Sequence, residues 1–224
     1  MEPDGDRRFH SMEGKGGLKE LFFGFMDMLS KWMALSGLLL LGCIPVVTAG
    51  ASWAAAYYTA VKAVRRHRSG IWGCYWHSFR QNLKQGIVFS LIMLAVGGLL
   101  VFYRFAISGV EVFSALYFGL VVLLAVVFLA VLAWLFPLLS RYDMTAGRLL
   151  ASSVLLAAGH PLRTIGVAAM LLACVFLTAM LPPLILLLPG LHCWGASFLQ
   201  EPVLRKLAKD NQTLGPEDDP WYAE

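Results

Sequence analysis

Charged residues are scarce in this sequence. Lys, Arg, Asp and Glu make up only 14% of the 224 residues, hydrophobic residues make up 58%, and the mean hydropathy is +0.68. Soluble globular domains carry about 25% charged residues, because their surfaces are solvated. The composition therefore excludes an ordinary soluble domain and indicates an integral membrane protein. The net charge of only +4 also argues against a nucleic-acid partner.

Motifs of common catalytic and metal-binding sites are missing as well. The sequence has no glycine-rich phosphate loop and no HExxH, GxSxG or CxxC motif. Its four cysteines lack the spacing of a zinc site, and its histidines lie far apart with no carboxylate at ligand spacing. We therefore expect no enzymatic activity, no cofactor and no bound metal.

Long apolar runs are what the sequence has instead. Four of them are long enough to cross about 30 Å of hydrocarbon as helices: Trp32 to Val47, Gly86 to Phe102, Phe113 to Leu139, and Ile165 to Leu188. Two further runs, Ala49 to Val64 and Leu191 to Leu204, are marginal, and we call them the short runs because each is short for a spanning helix. None shows the alternation of a barrel strand, and backbone groups in lipid must pair within their own segment. The predicted fold class is all-α, an integral membrane helical bundle.

The positions of the lysines and arginines predict the topology, because short cytoplasmic loops collect these residues. If both short runs cross, six helices place 17 of the 18 lysines and arginines on the side of both termini, and Arg104 alone lies opposite. We therefore predict about six transmembrane helices with both termini in the cytoplasm. A short run that turns back within the bilayer stays an alternative.

A tight turn joins the first long run to the first short one. Pro45 ends the incoming helix, Thr48 lies in the turn, and Gly50 can adopt a positive φ. The run that follows carries small residues at three- and four-residue spacing, among them Ala55 and Ala60, which let helices approach closely in lipid. We predict a packing helix buried against its neighbours, and the alternative is a helix that lines a substrate path.

Polar residues concentrate on the predicted cytoplasmic side. The segment from Arg65 to Gly86 carries aromatic residues at three- and four-residue spacing and predicts a short amphipathic helix on the membrane surface. Two polar groups form a predicted cytoplasmic interaction face: Arg80, Asn82, Lys84, Arg141 and Asp143. We expect these residues to contact lipid headgroups or a protein, with a local ion pair between Arg141 and Asp143.

Polar ends flank the apolar region. Residues 1–17 and the acidic tail, residues 208–224, are predicted to be disordered. Residues 18–207 are predicted to form a single transmembrane helical domain. Its first part, Leu18 to Trp32, carries an apolar stripe and predicts an interfacial helix that leads into the first span.

Three stretches resemble a known family. They are IPVVTAGASWAAAYYTAVKAVR (Ile44 to Arg65), YWHSFRQNLKQGI (Tyr75 to Ile87) and FPLLSRYDM (Phe136 to Met144). Together they are similar to the YesL family of bacterial multi-pass membrane proteins, and the similarity extends from about Leu21 to Lys206. The resemblance implies a bacterial plasma membrane protein with a domain of unknown function. It also implies a link to carbohydrate uptake, because genes of the family often lie beside sugar transporters.

Three classes of function fit these patterns. The first is an accessory or interaction component, with the lipid bilayer and a membrane transporter or cytosolic protein as partners. The second is a small-solute transporter or channel, although no ionisable residue lies near the middle of a predicted span. The third is an intramembrane enzyme, which the lack of a nucleophile and base at matched spacing argues against. The first is our prediction.

Overall fold

The computed structural model describes residues 9–65, 70–106, 111–142 and 144–211. Within these ranges the secondary structure is helical and includes no strand, which confirms the predicted all-α class for this part of the chain. Its α-helices are α1 (Phe9–Cys43), α2 (Ala49–Thr59), α3 (Ile71–Ala106), α4 (Glu111–Leu139), α5 (Ala146–Gly159), α6 (Pro161–Met180) and α7 (Leu188–Asn211). Short 3-10 helices, Val46–Thr48 and Pro182–Leu186, precede α2 and α7, and α2 continues into a π-helix, Ala60–Arg65.

Four of the described helices contain segments long and apolar enough to cross a membrane. The segments are Lys19–Cys43, Ile71–Leu99, Tyr117–Leu139 and Pro161–Met180. The segment in α4 is the most apolar, with a mean hydropathy of 3.0, whereas α5 is apolar but shorter. These helices contain most of the four long runs of the sequence and support a membrane protein. The number of six crossings stays a prediction.

Some predicted boundaries fall inside continuous helices. Helix α1 begins at Phe9, within the segment predicted to be disordered, and that predicted boundary stays a prediction. Helix α3 runs unbroken from Ile71, so the predicted surface helix and the span that follows are one helix. Neither helix contains a proline that would interrupt its backbone hydrogen bonds. Helix α7 likewise extends past the predicted domain end at residue 207, and residues 212–224 of the predicted tail lie outside the described residues.

Helix α2 lies in the interior of the bundle. All of its residues except Ala49 and Trp53 are buried, and Ala55 and Ala60 are fully enclosed. Helices α1, α3, α4 and α7 all contact it, which its small side chains permit. Val61, in the π-helical continuation of α2, is also fully buried. The helix is therefore packed on more than one side.

A short turn connects α1 to α2. It contains Pro45 and Thr48, and the Thr48 hydroxyl lies 2.7 Å from the carbonyl oxygen of Gly42 and 2.9 Å from that of Pro45. The Thr48 backbone N–H also donates to the Pro45 carbonyl at 2.9 Å. Thr48 therefore satisfies carbonyl groups that the end of a helix leaves without a partner.

The first turns of α2 and α7 dock in the same manner. The N–H of Gly50 donates to Oγ of Ser90 in α3 at 2.8 Å, and the N–H of Gly190 donates to Oγ of Ser36 in α1 at 2.7 Å. A Cβ on Gly50 would lie 2.6 Å from the carbonyl oxygen of Gly86. Gly50 is needed for this close backbone approach and lies within α2, so the predicted positive φ is wrong.

Helix α2 also separates two hydrophobic clusters. On one side, Tyr57 and Val61 belong to a buried cluster with Leu135 and Leu138 of α4. On the other side, Ala55 and Ala56 belong to a cluster with Leu35 of α1 and Tyr75 of α3. Removal of α2 would therefore open both halves of the core.

Candidate functional site

One side of the N-terminal half of α3 is polar and exposed. His77, Arg80, Gln81 and Lys84 follow three- and four-residue spacing, which places them on one face of the helix, and all four are exposed. Arg80, Gln81 and Lys84 form no hydrogen bond or ion pair with any other residue that the structure describes. We name these four residues the α3 polar face. Two of the predicted interaction residues, Arg80 and Lys84, lie on it.

Asn82 does not belong to this face. Its side chain is buried, and its Nδ2 donates to the carbonyl oxygen of Ser78 at 2.9 Å and lies 3.1 Å from the Ser78 hydroxyl. Successive residues of a helix are rotated by about 100° around its axis. Residue 82 is two positions, and therefore about 200°, from both residue 80 and residue 84, so it lies on roughly the opposite side of the helix. The prediction that Asn82 shares an exposed face with Arg80 and Lys84 is therefore wrong.

Arg141 is also turned into the protein. Its side chain is 1% exposed, and its Nη1 lies 3.5 Å from Oε2 of Glu201, whose side chain is 1% exposed too. A buried carboxylate on α7 is a stronger partner for this guanidinium than a solvated headgroup, because little water screens the pair. The predicted exposure of Arg141 is wrong. Asp143, its predicted partner, lies outside the described residues.

Glu201 joins three helices at one end of the bundle. The Tyr57 hydroxyl of α2 donates to Oε1 at 3.4 Å, Arg141 approaches from the end of α4, and Nε of Arg205 lies 3.6 Å from Oε2 one helical turn further along α7. We name these residues the Glu201 cluster. The C-terminal ends of α2 and α4 come close to it, and their dipoles favour positive charge there. The two guanidinium groups offset the cost of burying the carboxylate.

Sequence reasoning missed Glu201 as a functional residue, although one signal pointed to it. Glu201 is the only acidic residue inside the short run from Leu191 to Leu204. An acid within an apolar run at membrane depth, or buried in a bundle, needs a cationic partner. The partner comes from a distant part of the chain, so spacing within the run could not identify Arg141.

Two more basic side chains make contacts inside the protein. Arg65 donates from Nη1 to the carbonyl oxygen of Ser197 at 3.1 Å, and its guanidinium lies 4.2 Å from the centre of the Phe198 ring. Lys62 is buried, and its Nζ donates to the Tyr58 hydroxyl at 2.7 Å. The Arg65 contacts fix the π-helical end of α2 against α7, whereas the Lys62 bond lies within the same helical segment.

Two surface grooves are lined almost entirely by apolar side chains. One lies between α1 and the start of α3, and its lining includes Leu38, Leu41 and Trp72. The other lies between the α1–α2 turn, α3 and α4, and its lining includes Val46, Leu94 and Phe128. Among the described residues, no group of three or more His, Cys, Asp or Glu side chains is placed to hold a metal ion.

Comparison with protein families shows a similarity for the first half of the described helices. A family model described as "Protein of unknown function, DUF624" matches residues 22–103, which is less than half of the chain. The match covers most of α1, all of α2 and nearly all of α3, and therefore includes the α3 polar face. No curated protein and no solved structure matches the chain.

Proposed function

We propose that this chain is a multi-pass membrane protein without catalytic activity that works as an accessory or interaction component, and that the α3 polar face binds its partner. One observation carries the proposal. Arg80, Gln81 and Lys84 are exposed on one side of a helix and unused by the other described residues, whereas Asn82 and Arg141 hold the fold together. Exposed charges of this kind contribute little to stability and much to recognition.

The chemistry of the face suggests the kind of partner. Two positive charges beside an amide and a histidine complement an acidic surface, and the charges would steer such a partner before contact. We propose an acidic patch of a membrane transporter or of a cytosolic protein. The resemblance to the YesL family adds the more specific hypothesis that the partner serves carbohydrate uptake in the bacterial plasma membrane.

The proposed sidedness places this face in the cytoplasm. Both termini and the basic segments share that side, because this arrangement gathers 17 of the 18 lysines and arginines. A cysteine introduced at Ser69, before α3, should react with a membrane-impermeant reagent only after the cells are opened. A cysteine at Gly109, between α3 and α4, should react in intact cells. Labelling of the Ser69 variant alone in intact cells would overturn the sidedness.

A charge-reversal experiment tests the interaction. The Arg80→Glu, Lys84→Glu variant should fold normally, because both side chains are exposed, and should lose its partner in affinity purification at matched membrane abundance. The matched control is Lys19→Glu, Lys206→Glu, which makes the same charge change at two exposed positions on α1 and α7. Loss of the same recovered protein in both variants would mean that net charge, and not this face, governs the interaction.

A transporter or channel is the second candidate function. The observation that favours it is the Glu201 cluster, because buried ionisable residues in membrane bundles often mark ion or proton routes. Reconstituted vesicles that contain the protein alone decide between the two. Uptake of a sugar or an ion that Glu201→Gln abolishes would support transport and displace the accessory proposal.

A further inference from the structure

The distribution of charge leaves the depth of the α1–α2 turn open. Two arrangements place the start of α1 and the end of α2 on the same side of the membrane. In the first, both helices cross and the turn lies on the far surface. In the second, the hairpin enters the bilayer and turns back inside it. Both arrangements gather the same lysines and arginines, so only the packing of the helices can distinguish them.

The register of α2 on α3 gives the first measure of depth. The start of α2 touches α3 at Gly86 and Ser90, through Gly50. Further along α2, the Tyr58 ring lies 6.3 Å from the ring of His77. The two helices are therefore antiparallel, and α2 lies beside residues 77–90 of α3. This is the half of α3 that carries the exposed charges Arg80 and Lys84, and not its apolar half.

The position of the α1–α2 turn relative to α4 gives a second measure of its depth in the membrane. Val46 and Ala49 line an apolar groove together with Leu94 of α3 and Phe128 of α4. Phe128 is the middle residue of the apolar segment Tyr117–Leu139, so the turn lies level with the middle of that segment. Helix α3 continues from Leu94 to Ala106, which is about 18 Å further at 1.5 Å per residue. The turn stops well short of the end of α3.

We propose that α1 and α2 form a re-entrant hairpin whose tip, Ile44 to Thr48, lies in the middle of the hydrocarbon and touches lipid acyl chains. The hairpin then returns to the side from which it came. Helix α2 occupies the near half of the bilayer, and its π-helical end leaves the hydrocarbon beside the charged half of α3. The chain in this arrangement has two fewer crossings than the predicted six.

The chemistry of the tip suits this position. Non-helical backbone in hydrocarbon must pair its polar groups internally. Here the Thr48 hydroxyl and N–H contact the carbonyls of Gly42 and Pro45, and the Ile44 N–H donates to the Leu41 carbonyl at 3.3 Å. The side chains that point outwards are apolar, and Ile44 is 75% exposed and Val46 56% exposed. At an aqueous surface, water could pair the polar groups of the turn, so neither internal pairing nor outward apolar side chains would be needed.

The exposed surface of α3 continues the same apolar zone. Leu94 lines the groove beside the tip and is about half exposed, and Leu91 and Ile92, at the same level of α3, are exposed to a similar extent. Tip and helix therefore both present apolar side chains at this depth. Acyl chains are the occupant that matches a surface of this kind within a membrane. The inference does not depend on the proposed accessory function, because the tip lies apart from the α3 polar face.

Spin-label accessibility in liposomes tests the depth of the tip. A label at Val46→Cys is compared with labels at two exposed α3 positions, Leu94→Cys and Phe102→Cys, in a background whose native cysteines are replaced by alanine. We expect the oxygen-to-nickel-complex collision ratio at residue 46 to match that at residue 94 and to exceed that at residue 102. A ratio at residue 46 below that at residue 102 places the tip at the far aqueous surface and overturns the proposal.

A second measurement needs no cysteine replacement. Val46→Lys should strongly reduce membrane abundance and thermal stability in liposomes, because a lysine in the middle of hydrocarbon is costly, whereas Val46→Leu should behave as the wild type. Thr145→Lys, at an exposed position between α4 and α5, controls for the added charge. Equal tolerance of the two lysines contradicts a tip that lies in the hydrocarbon. This outcome is independent of the affinity purification that tests the α3 polar face.

Discussion

The backbone N–H of Gly50 donates a hydrogen bond of 2.8 Å to Oγ of Ser90, and this contact sets how far α2 reaches along α3. The bond is buried, and Ser90 also donates to the carbonyl oxygen of Gly86 at 2.9 Å. One hydroxyl therefore satisfies a free N–H at the start of α2 and a carbonyl of α3. The position of the turn before α2 and the packing of the core around α2 depend on this register.

Replacement of Gly50 should disturb the register. Gly50→Ala places a methyl group 2.6 Å from the Gly86 carbonyl oxygen, and we expect it to destabilise the protein by about 1–3 kcal/mol. The control is Gly147→Ala in α5, where a Cβ meets no atom within 4 Å; it should be neutral or stabilising by about 0.5–1 kcal/mol. Thermal aggregation in detergent measures both, and an equal effect of the two substitutions would contradict the close approach.

Larger side chains in α2 and in its π-helical continuation should also destabilise the protein. Ala55→Leu and Ala60→Leu add volume at fully buried positions between helices, and we expect each to cost about 1–3 kcal/mol. Ala151→Leu, at an exposed position of α5, is the matched control and should be tolerated. Val61→Phe should also destabilise the protein, because Val61 is as buried as the alanines. Tolerance at residues 55 and 60 in the same aggregation assay would mean that α2 faces lipid.

The Glu201 cluster predicts a graded series. Glu201→Ala leaves the buried Arg141 guanidinium without this carboxylate and should cost about 3–5 kcal/mol. Arg205→Ala should cost less than about 1 kcal/mol, because the Arg205 side chain is 43% exposed. The double variant Arg141→Ala, Glu201→Ala should lose less than the sum of its single variants. Additive losses in denaturation experiments would indicate that the two residues do not interact.

The sequence predicted the helices better than it predicted their contacts. Apolar length identified the four candidate spans, and small residues indicated that α2 packs closely, because both properties are local. The pairing of Arg141 with Glu201 could not be predicted, since the two residues are 60 positions apart. Proximity in sequence predicts one shared face for Arg80, Asn82 and Lys84, but the helical period turns Asn82 to the other side of α3, where it is buried.

Charge counting has a related limit. It predicts which side of the membrane the ends of a hairpin occupy, but the depth of the turn between them depends on register. The contact between Gly50 and Ser90 supplies that register, and a hydrogen bond between a serine and the backbone of a distant helix leaves no periodic signal in a sequence. The Ser36 and Gly190 pair illustrates the same point for α7.

The central claim is that the α3 polar face binds a protein, and photo-crosslinking in living cells tests it most directly. A photo-reactive amino acid at Gln81, in the middle of the face, should give a discrete adduct with one protein. The same reagent at Lys206, exposed on α7, should not give that adduct, and Arg80→Glu, Lys84→Glu should abolish the adduct at residue 81. No protein adduct at residue 81, or the same adducts at residues 81 and 206, would contradict the account.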